Sequence, residues 1–218
     1  NATPGTYTVS YIIPAVPGGC PEFNTSTTVL IEGCFSTTAG NSGPICEGTP
    51  TFDLTATTAG PTATYAWTGP GFTSTVQNPT GIPAPTASGT YVYTVVATIS
   101  GADSAPSSTT LTVHPTPTAE FVWTAATICT NSTATLVLTG TPNAVATIND
   151  GSANITVPLD AAGNGQYTTP SLSAAATYTL LKVVGNTTPA CEYIVPSGTP
   201  NSVVSISVGL PTATIVGF

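Results

Sequence analysis

"GTYTVSYIIPAVPGGCPEFNTSTTVLI" spans residues 5–31 and decides how the rest of the chain is read. Its two halves, "TYTVSYII" (6–13) and "STTVLIE" (26–32), are β-branched and alternate apolar with polar residues. A Pro/Gly-rich stretch separates them. Alternation at period two sends successive side chains to opposite faces of a strand. The stretch therefore reads as two antiparallel strands joined by a turn.

The same pattern returns. "GTYVYTVVATISGADSAPSSTTLTV" (89–113) repeats it, with Gly5 to Gly89 spaced by 84 residues and Thr27 to Thr109 by 82. A weaker third copy is "ATYTLLKVVGNTTPACEYIVPSGTPNSVVSISV" (176–208). Internal repetition at this scale marks tandem modules. Further strand-like runs lie at "TFDLTAT" (51–57) and "TATLVLTG" (133–140), and turn residues separate them all. Each repeated pair reads as the two strands that close a sandwich. "ICEGTPTFDLTATTAG" (45–60) and "ICTNSTATLVLTGTP" (128–142), with Cys46 to Cys129 spaced by 83, read as strands that open one. "PTPTAEF" (115–121) returns as "LPTATIVGF" (210–218), Pro117 to Pro211 being 94 residues.

The expected fold class is all-β: tandem antiparallel β-sandwich modules arranged head-to-tail. The modules sort as 1–33, the closing strands of an incomplete module; 34–116 and 117–209, two sandwiches; and 210–218, the opening strand of a next module or a donor strand. Pro211, Ala213, Ile215 and Phe218 are the expected assembly residues of that last strand.

Composition narrows function. Nine carboxylates face one basic residue, Lys182, for a net charge of −8 over 218 residues. Nucleic-acid binding needs clustered cations to displace counterions, so that class is set aside, as is adsorption to anionic lipid. No apolar run approaches the roughly 20 residues of a membrane-spanning helix, so no membrane insertion is expected. Met is absent, even at position 1, which reads as a processed product or a fragment.

Five cysteines, Cys20, Cys34, Cys46, Cys129 and Cys191, contain no C-x-x-C pair, and His114 is the only histidine. Structural zinc needs closely spaced Cys/His ligands. Disulfides fit better and imply an oxidising, extracellular or cell-surface setting. Five is odd, so one cysteine stays unpaired or bonds outside the chain.

The pattern of an opening "PTA" (Pro117 to Ala119), "ICxxST" (Ile128 to Thr133), "YAWTGPGF" (Tyr65 to Phe72), "SGTYVYTVV" (Ser88 to Val96) and "STTLTV" (Ser108 to Val113) resembles the Ig-like and PKD-like repeats of large secreted Bacteroidetes surface adhesins and extracellular filament proteins. The segment 117–209 is similar to a sister repeat type in the same proteins. The resemblance covers nearly the whole chain. It implies Ig-like sandwiches, export to the cell surface and no catalytic residues. Sister repeats carry a cysteine in the closing hairpin, as Cys20 and Cys191 do, which implies a Cys129–Cys191 disulfide closing one module. The first full module has Asp103, Ser104 and Ala105 in that region instead, so Cys46 lacks that partner. Cys34 and Cys46 flank the Gly-rich loop "FSTTAGNSGPI" and are expected to pair. Cys20 is expected to stay unpaired or to bond to another chain.

Tyr65 and Trp67 alternate on one strand, so both rings point into one core, as a buried Trp does in Ig sandwiches. The alternative is a sugar-stacking platform of Tyr65, Trp67 and Phe72. Trp123 is expected to cover a module junction rather than hold a ligand. Asn149, Asp150, Asp160 and Asn164 sit in Gly-rich turns. Calcium needs six to eight oxygens from a compact loop, and two separated turns read as hairpin loops. Asp53 and Glu47 read as solvated. No metal, cofactor or catalytic residue is expected, since nothing selects a nucleophile, base or carboxylate pair. Sequons stand at Asn1, Asn24, Asn131, Asn154 and Asn186, and Asp103-Ser104-Ala105 resembles a bacterial O-glycosylation motif, so covalent glycans are expected to hydrate the weakly charged surface.

The chain is thus expected to be a structural subunit or repeat of an extracellular filament or stalk, a homopolymer built from copies of itself by strand complementation or covalent tandem repeats. The alternative is a cell-surface adhesin module that binds glycans or surfaces through sandwich-tip loops such as "WTGPGFTST".

Overall fold

The computed structural model describes residues 5–31, 35–58, 60 and 62–209. Among them it is all-β. The chain divides into two compact units. One takes the described residues of Asn1–Ser42, Phe52–Ile82 and Tyr91–Thr110; the other takes those of Gly43–Thr51, Pro83–Thr90 and Leu111–Phe218.

Strands β1 (Gly5–Ile13) and β2 (Phe23–Ile31) pair in uninterrupted antiparallel register from Gly5–Ile31 to Ile13–Phe23. Opposite residues share a face, so Tyr7, Val9, Tyr11 and Ile13 lie on the same side as Phe23 and Val29, while Thr6, Thr8 and Ser10 lie on the other with Ser26 and Thr28.

The next ten strands form an Ig-like set: β3 (Thr37–Asn41), β4 (Ile45–Cys46), β5 (Thr51–Phe52), β6 (Leu54–Thr58), β7 (Thr64–Gly69), β8 (Phe72–Ser74), β9 (Ile82–Pro83), β10 (Gly89–Ile99), β11 (Ala102–Asp103) and β12 (Ser107–His114). β4, β12, β10, β7 and β8 follow one another in one sheet, with β11 on β10; β3 pairs β6, and β5 pairs β9. β4 runs parallel to β12, with Ile45 opposite Val113 and Cys46 opposite His114. Alternation puts Tyr93, Val95 and Ala97 of β10 on the buried face. The Phe52 and Phe72 rings pack tilted and edge-on against Tyr93, with centroids 5.1 and 6.1 Å away.

The strand β3 lies where the sequence suggests only a Gly-rich loop between Cys34 and Cys46. It has no apolar alternation to betray it. Hydrogen bonds hold it instead: Ala39 N donates to Ser107 Oγ, and Asn41 Nδ2 to Thr109 Oγ1.

The second sandwich repeats the plan. β13 (Ala119–Phe121), β15 (Thr135–Gly140) and β18 (Asn164–Thr168) form one sheet. β14 (Ala125–Cys129), β21 (Val203–Gly209), β19 (Ala176–Val184), β16 (Val145–Asn149) and β17 (Asn154–Pro158) form the other, with β20 (Glu192–Ile194) on β19. β14 runs parallel to β21 and puts Ile128 opposite Val208 and Cys129 opposite Gly209. Phe121, Leu136, Leu138, Ile148, Tyr178, Leu180, Val204 and Ile206 fill the core between the sheets. Gly140 is required where β13 meets β15, because a Cβ there would run into the Thr118 and Ala119 backbone.

Candidate assembly site

The first four pairs of the hairpin β1–β2, Gly5–Ile31 to Thr8–Thr28, match the four pairs of β19 with β21, Ala176–Ile206 to Thr179–Val203. Both first strands are nine residues long. Tyr7 faces Val29 across the hairpin as Tyr178 faces Val204 in the sandwich. The environments differ completely. Tyr178, Leu180 and Val204 are 2%, 1% and 0% exposed, while Tyr7, Val9 and Val29 are 39%, 56% and 45% exposed. Tyr11, Ile13 and Phe23 extend the same exposed face. Two strands alone are marginal in water and need further strands or a packed face for independent stability. Burying each large apolar side chain contributes about 1.5–3 kcal/mol. This face has the chemistry of a core, and among the described residues no further strand pairs with the hairpin.

The cysteines depart from the sequence expectation. Cys46 bonds to Cys191, with Cα atoms 5.6 Å apart and 145 residues between them in sequence. Cys129 and Cys20 are free and exposed. The expected Cys129–Cys191 bridge is thereby corrected, and strand register gives the reason. Cys129 lies opposite Gly209, three residues beyond Ile206, which pairs with Ala176 at the start of β19. Cys191 lies past the other end of β19, where its carbonyl accepts from Gly185 N. A nine-residue strand spans roughly 30 Å, and a disulfide needs Cα atoms within about 7 Å. The expected Cys34–Cys46 bridge fails because Cys46 is taken; Cys34 itself lies outside the described residues.

Segment 43–51, which carries Cys46, is held by more than the disulfide. Glu47 Oε2 accepts from Thr116 N at 2.9 Å and its Oε1 from Ser88 N at 2.7 Å. These backbone donors, Thr116 first, hold its carboxyl below the usual glutamate range. His114 Nε2 lies 3.3 Å from Thr188 O. Asp53 Oδ1 accepts from Gly81 N. Glu47 and Asp53 thus meet solvent, as expected, and also accept backbone hydrogen bonds.

Trp67 is 1% exposed, and its Nε1 donates to Gln77 O. Tyr65 is half-buried, as is Phe72 against Tyr93. A sugar-stacking platform needs Trp67 at the surface, so that alternative is corrected. Trp123 is half-buried against the core of the second sandwich. Ser104 is 6% exposed; its Oγ accepts from Ala97 N and donates to Ala105 O. A hydroxyl so enclosed cannot carry sugar in the folded chain, which corrects that glycan expectation. Asn24, Asn131, Asn154 and Asn186 are exposed. Asn1 and the expected assembly residues Pro211, Ala213, Ile215 and Phe218 lie outside the described residues.

Asp150 Oδ1 caps its turn by accepting from Ser152 N and Ala153 N, and these donors pull its carboxyl below the usual range. Asp160 Oδ1 accepts from Ala162 N and Asn164 N in its own turn. Among the described residues, no three His, Cys, Asp or Glu side chains gather as metal ligands would. A groove of about 620 Å³ is lined by Thr116, Glu120, Thr139, Tyr193 and Pro200. Its one carboxylate, Glu120, accepts from Asn201 Nδ2. No helix among the described residues is long and apolar enough to cross a membrane.

No family model and no curated protein matches the chain. Solved structures do. A titin I-band fragment, I67–I69, aligns with a TM-score of 0.52 at 14% identity, over 82% of this chain and 66% of that one. A variant of the same three domains gives 0.47 at 13% identity, covering 78% and 65%. A two-domain fibronectin type III segment of chicken tenascin gives 0.32 at 15% identity, covering 73% and 97%. The chain thus spans just under two thirds of the titin fragments. Likeness at such identity shows the fold alone: an Ig-like β-sandwich protein.

Proposed function

We propose that the chain is a structural subunit or repeat of an extracellular bacterial filament or stalk, assembled head-to-tail from copies of itself. One observation carries this reading: the β1–β2 hairpin exposes the residues that its counterpart β19–β21 buries. Such a hairpin is the closing pair of a sandwich whose remaining strands come from elsewhere. The segment 210–218 repeats the opening sequence of the second sandwich, and a copy of it is the natural start of that completing set. Adding strands supplies main-chain hydrogen bonds and a covering core together. A contact between two different ends of the same chain does not close on itself, so it propagates as a fibre. Covalent tandem repetition of the same modules would give the same mechanical object. The internal disulfide fits an oxidising compartment, hence a place outside the cell. An Ig-like scaffold whose polar side chains cap turns and segments supports a load-carrying role rather than catalysis. The resemblance to surface adhesin repeats, together with exposed sequons, points to a glycosylated cell-surface material.

Cryo-electron microscopy of the full, unreduced chain tests this. Filaments with an axial repeat of two or three sandwiches are expected, and Ile215→Asp is expected to leave folded, unassembled chains. Isolated wild-type monomers at high concentration would overturn the polymer and return the weight to an adhesin module binding through its loops.

A further inference from the structure

We propose that Cys129 and Cys20 form a disulfide between two copies of this chain, repeating from copy to copy the link that Cys46 and Cys191 make inside one. The inference rests on the head-to-tail reading above and adds a covalent bond to it.

The observed disulfide provides the template. Cys46 ends the strand that runs parallel to the last strand of its sandwich, opposite His114, the final residue of β12. Cys129 ends the matching strand of the second sandwich, opposite Gly209, the final residue of β21. The surrounding backbone is repeated bond for bond. Glu47 N donates to His114 O, and Thr130 N to Gly209 O; Thr49 N donates to Cys46 O, and Ser132 N to Cys129 O. Cys129 thus occupies in its sandwich the position that Cys46 occupies in its own.

Cys191 and Cys20 are matched in the same way. Cys191 follows Tyr178 by 13 residues and Cys20 follows Tyr7 by 13 residues, with no gap between the two stretches. Both cysteines lie between the two strands of a closing pair, β19–β21 in one case and β1–β2 in the other. Inside the chain, a cysteine at the end of one sandwich bonds to the closing-hairpin cysteine of the sandwich that follows in sequence. Continuing the series, Cys129 requires the closing-hairpin cysteine of the module after Gly209. The chain carries one further cysteine in such a hairpin, Cys20, and the hairpin that carries it has an uncovered core face. A second copy supplies it. Both thiols are exposed, as a bond formed on assembly requires.

The bond forms by thiol–disulfide exchange with a small-molecule or protein disulfide of the oxidising compartment. The Cys129 thiolate attacks that disulfide and releases one thiol. The Cys20 thiolate of the second copy then attacks Cys129 Sγ and releases the other. Two thiols lose two protons and two electrons, and the donor disulfide is reduced to two thiols.

The test mixes ¹⁴N- and ¹⁵N-labelled full-length chain under a glutathione redox buffer. Association is followed by electron microscopy. The sample is then blocked with a thiol-alkylating reagent, digested without reduction and read by mass spectrometry. Filaments containing Cys20–Cys129 peptide pairs of mixed isotope are the expected result. They should run as a ladder on non-reducing gels that collapses with reductant. Cys129→Ser and Cys20→Ser should each abolish the ladder while filaments persist. Filaments in which both thiols are alkylated, or in which either cysteine is bonded to Cys34 or to its own copy, would overturn the cross-link and leave the polymer standing. Folded chains that never associate would overturn both.

Discussion

Trp67 and Glu47 show how single residues hold the scaffold. Trp67 is enclosed, and its indole N–H finds the Gln77 carbonyl, so its polar edge is not stranded. Trp67→Ala empties a large volume that neighbours fill only in part. A loss of about 3–5 kcal/mol in chemical denaturation is expected. In a Trp123→Phe background, Trp67 fluorescence should resist acrylamide until the chain unfolds. Glu47 works through charge. Its carboxylate accepts two backbone N–H groups and its pKa is lowered from the ordinary 4.5. A depressed folded-state value means stabilisation that is complete above the ordinary value and lost as pH falls through the folded one. Melting temperature should therefore drop on acidification below about pH 4.5, and Glu47→Gln should flatten that limb while lowering stability near neutrality. A limb of unchanged steepness in Glu47→Gln would assign the acid loss to other carboxylates.

At the scale of elements, the sequence is most legible where burial imposes alternation. The runs 90–99, 108–114 and 177–184 are strands to within a residue or so at each end, because one face of each packs on a core. β3 is illegible because side-chain hydrogen bonds with Ser107 and Thr109, rather than apolar pattern, fix it to its neighbours. The disulfides mislead for a related reason. The resemblance to sister repeats implies a Cys129–Cys191 pair inside one module, but strand register places them at opposite ends of the sheet. Trp67 is readable from its strand; the engaged Ser104 hydroxyl is not, since its partners Ala97 and Ala105 carry no sequence signal. The hairpin β1–β2 yields its own prediction. Its face is uncovered, so in dilute unassembled chain its amides should exchange with solvent far faster than those of β19 and β21, which carry the same pattern inside a core. Assembly should bring the two sets to similar protection. Equal protection before assembly would mean that the hairpin is covered within its own chain.

For the whole molecule, charge and apolar surface act in opposition. Every copy carries a net charge of −8, and one lysine is the whole basic complement. Lys182 is already engaged by Glu192 Oε2 at 2.8 Å. Two copies approaching each other therefore meet like charge with no basic patch to steer them. In the proposed assembly the attraction comes from the exposed apolar face of Tyr7, Val9, Tyr11 and Phe23, which salt does not screen. Added salt shortens the reach of the repulsion, to a Debye length of about 10 Å at 0.1 M and about 3 Å at 1 M. The assembly rate, followed by light scattering, should accordingly rise as sodium chloride is increased from about 0.01 to about 1 M. An electrostatically steered complex behaves in the opposite way, since its association slows as its attraction is screened. Neutralising carboxylates by mild acid should add to the effect of salt until loss of the Glu47 contacts loosens the segment that carries Cys46. A rate that falls with salt would mean that complementary charges, rather than an uncovered core face, bring the copies together.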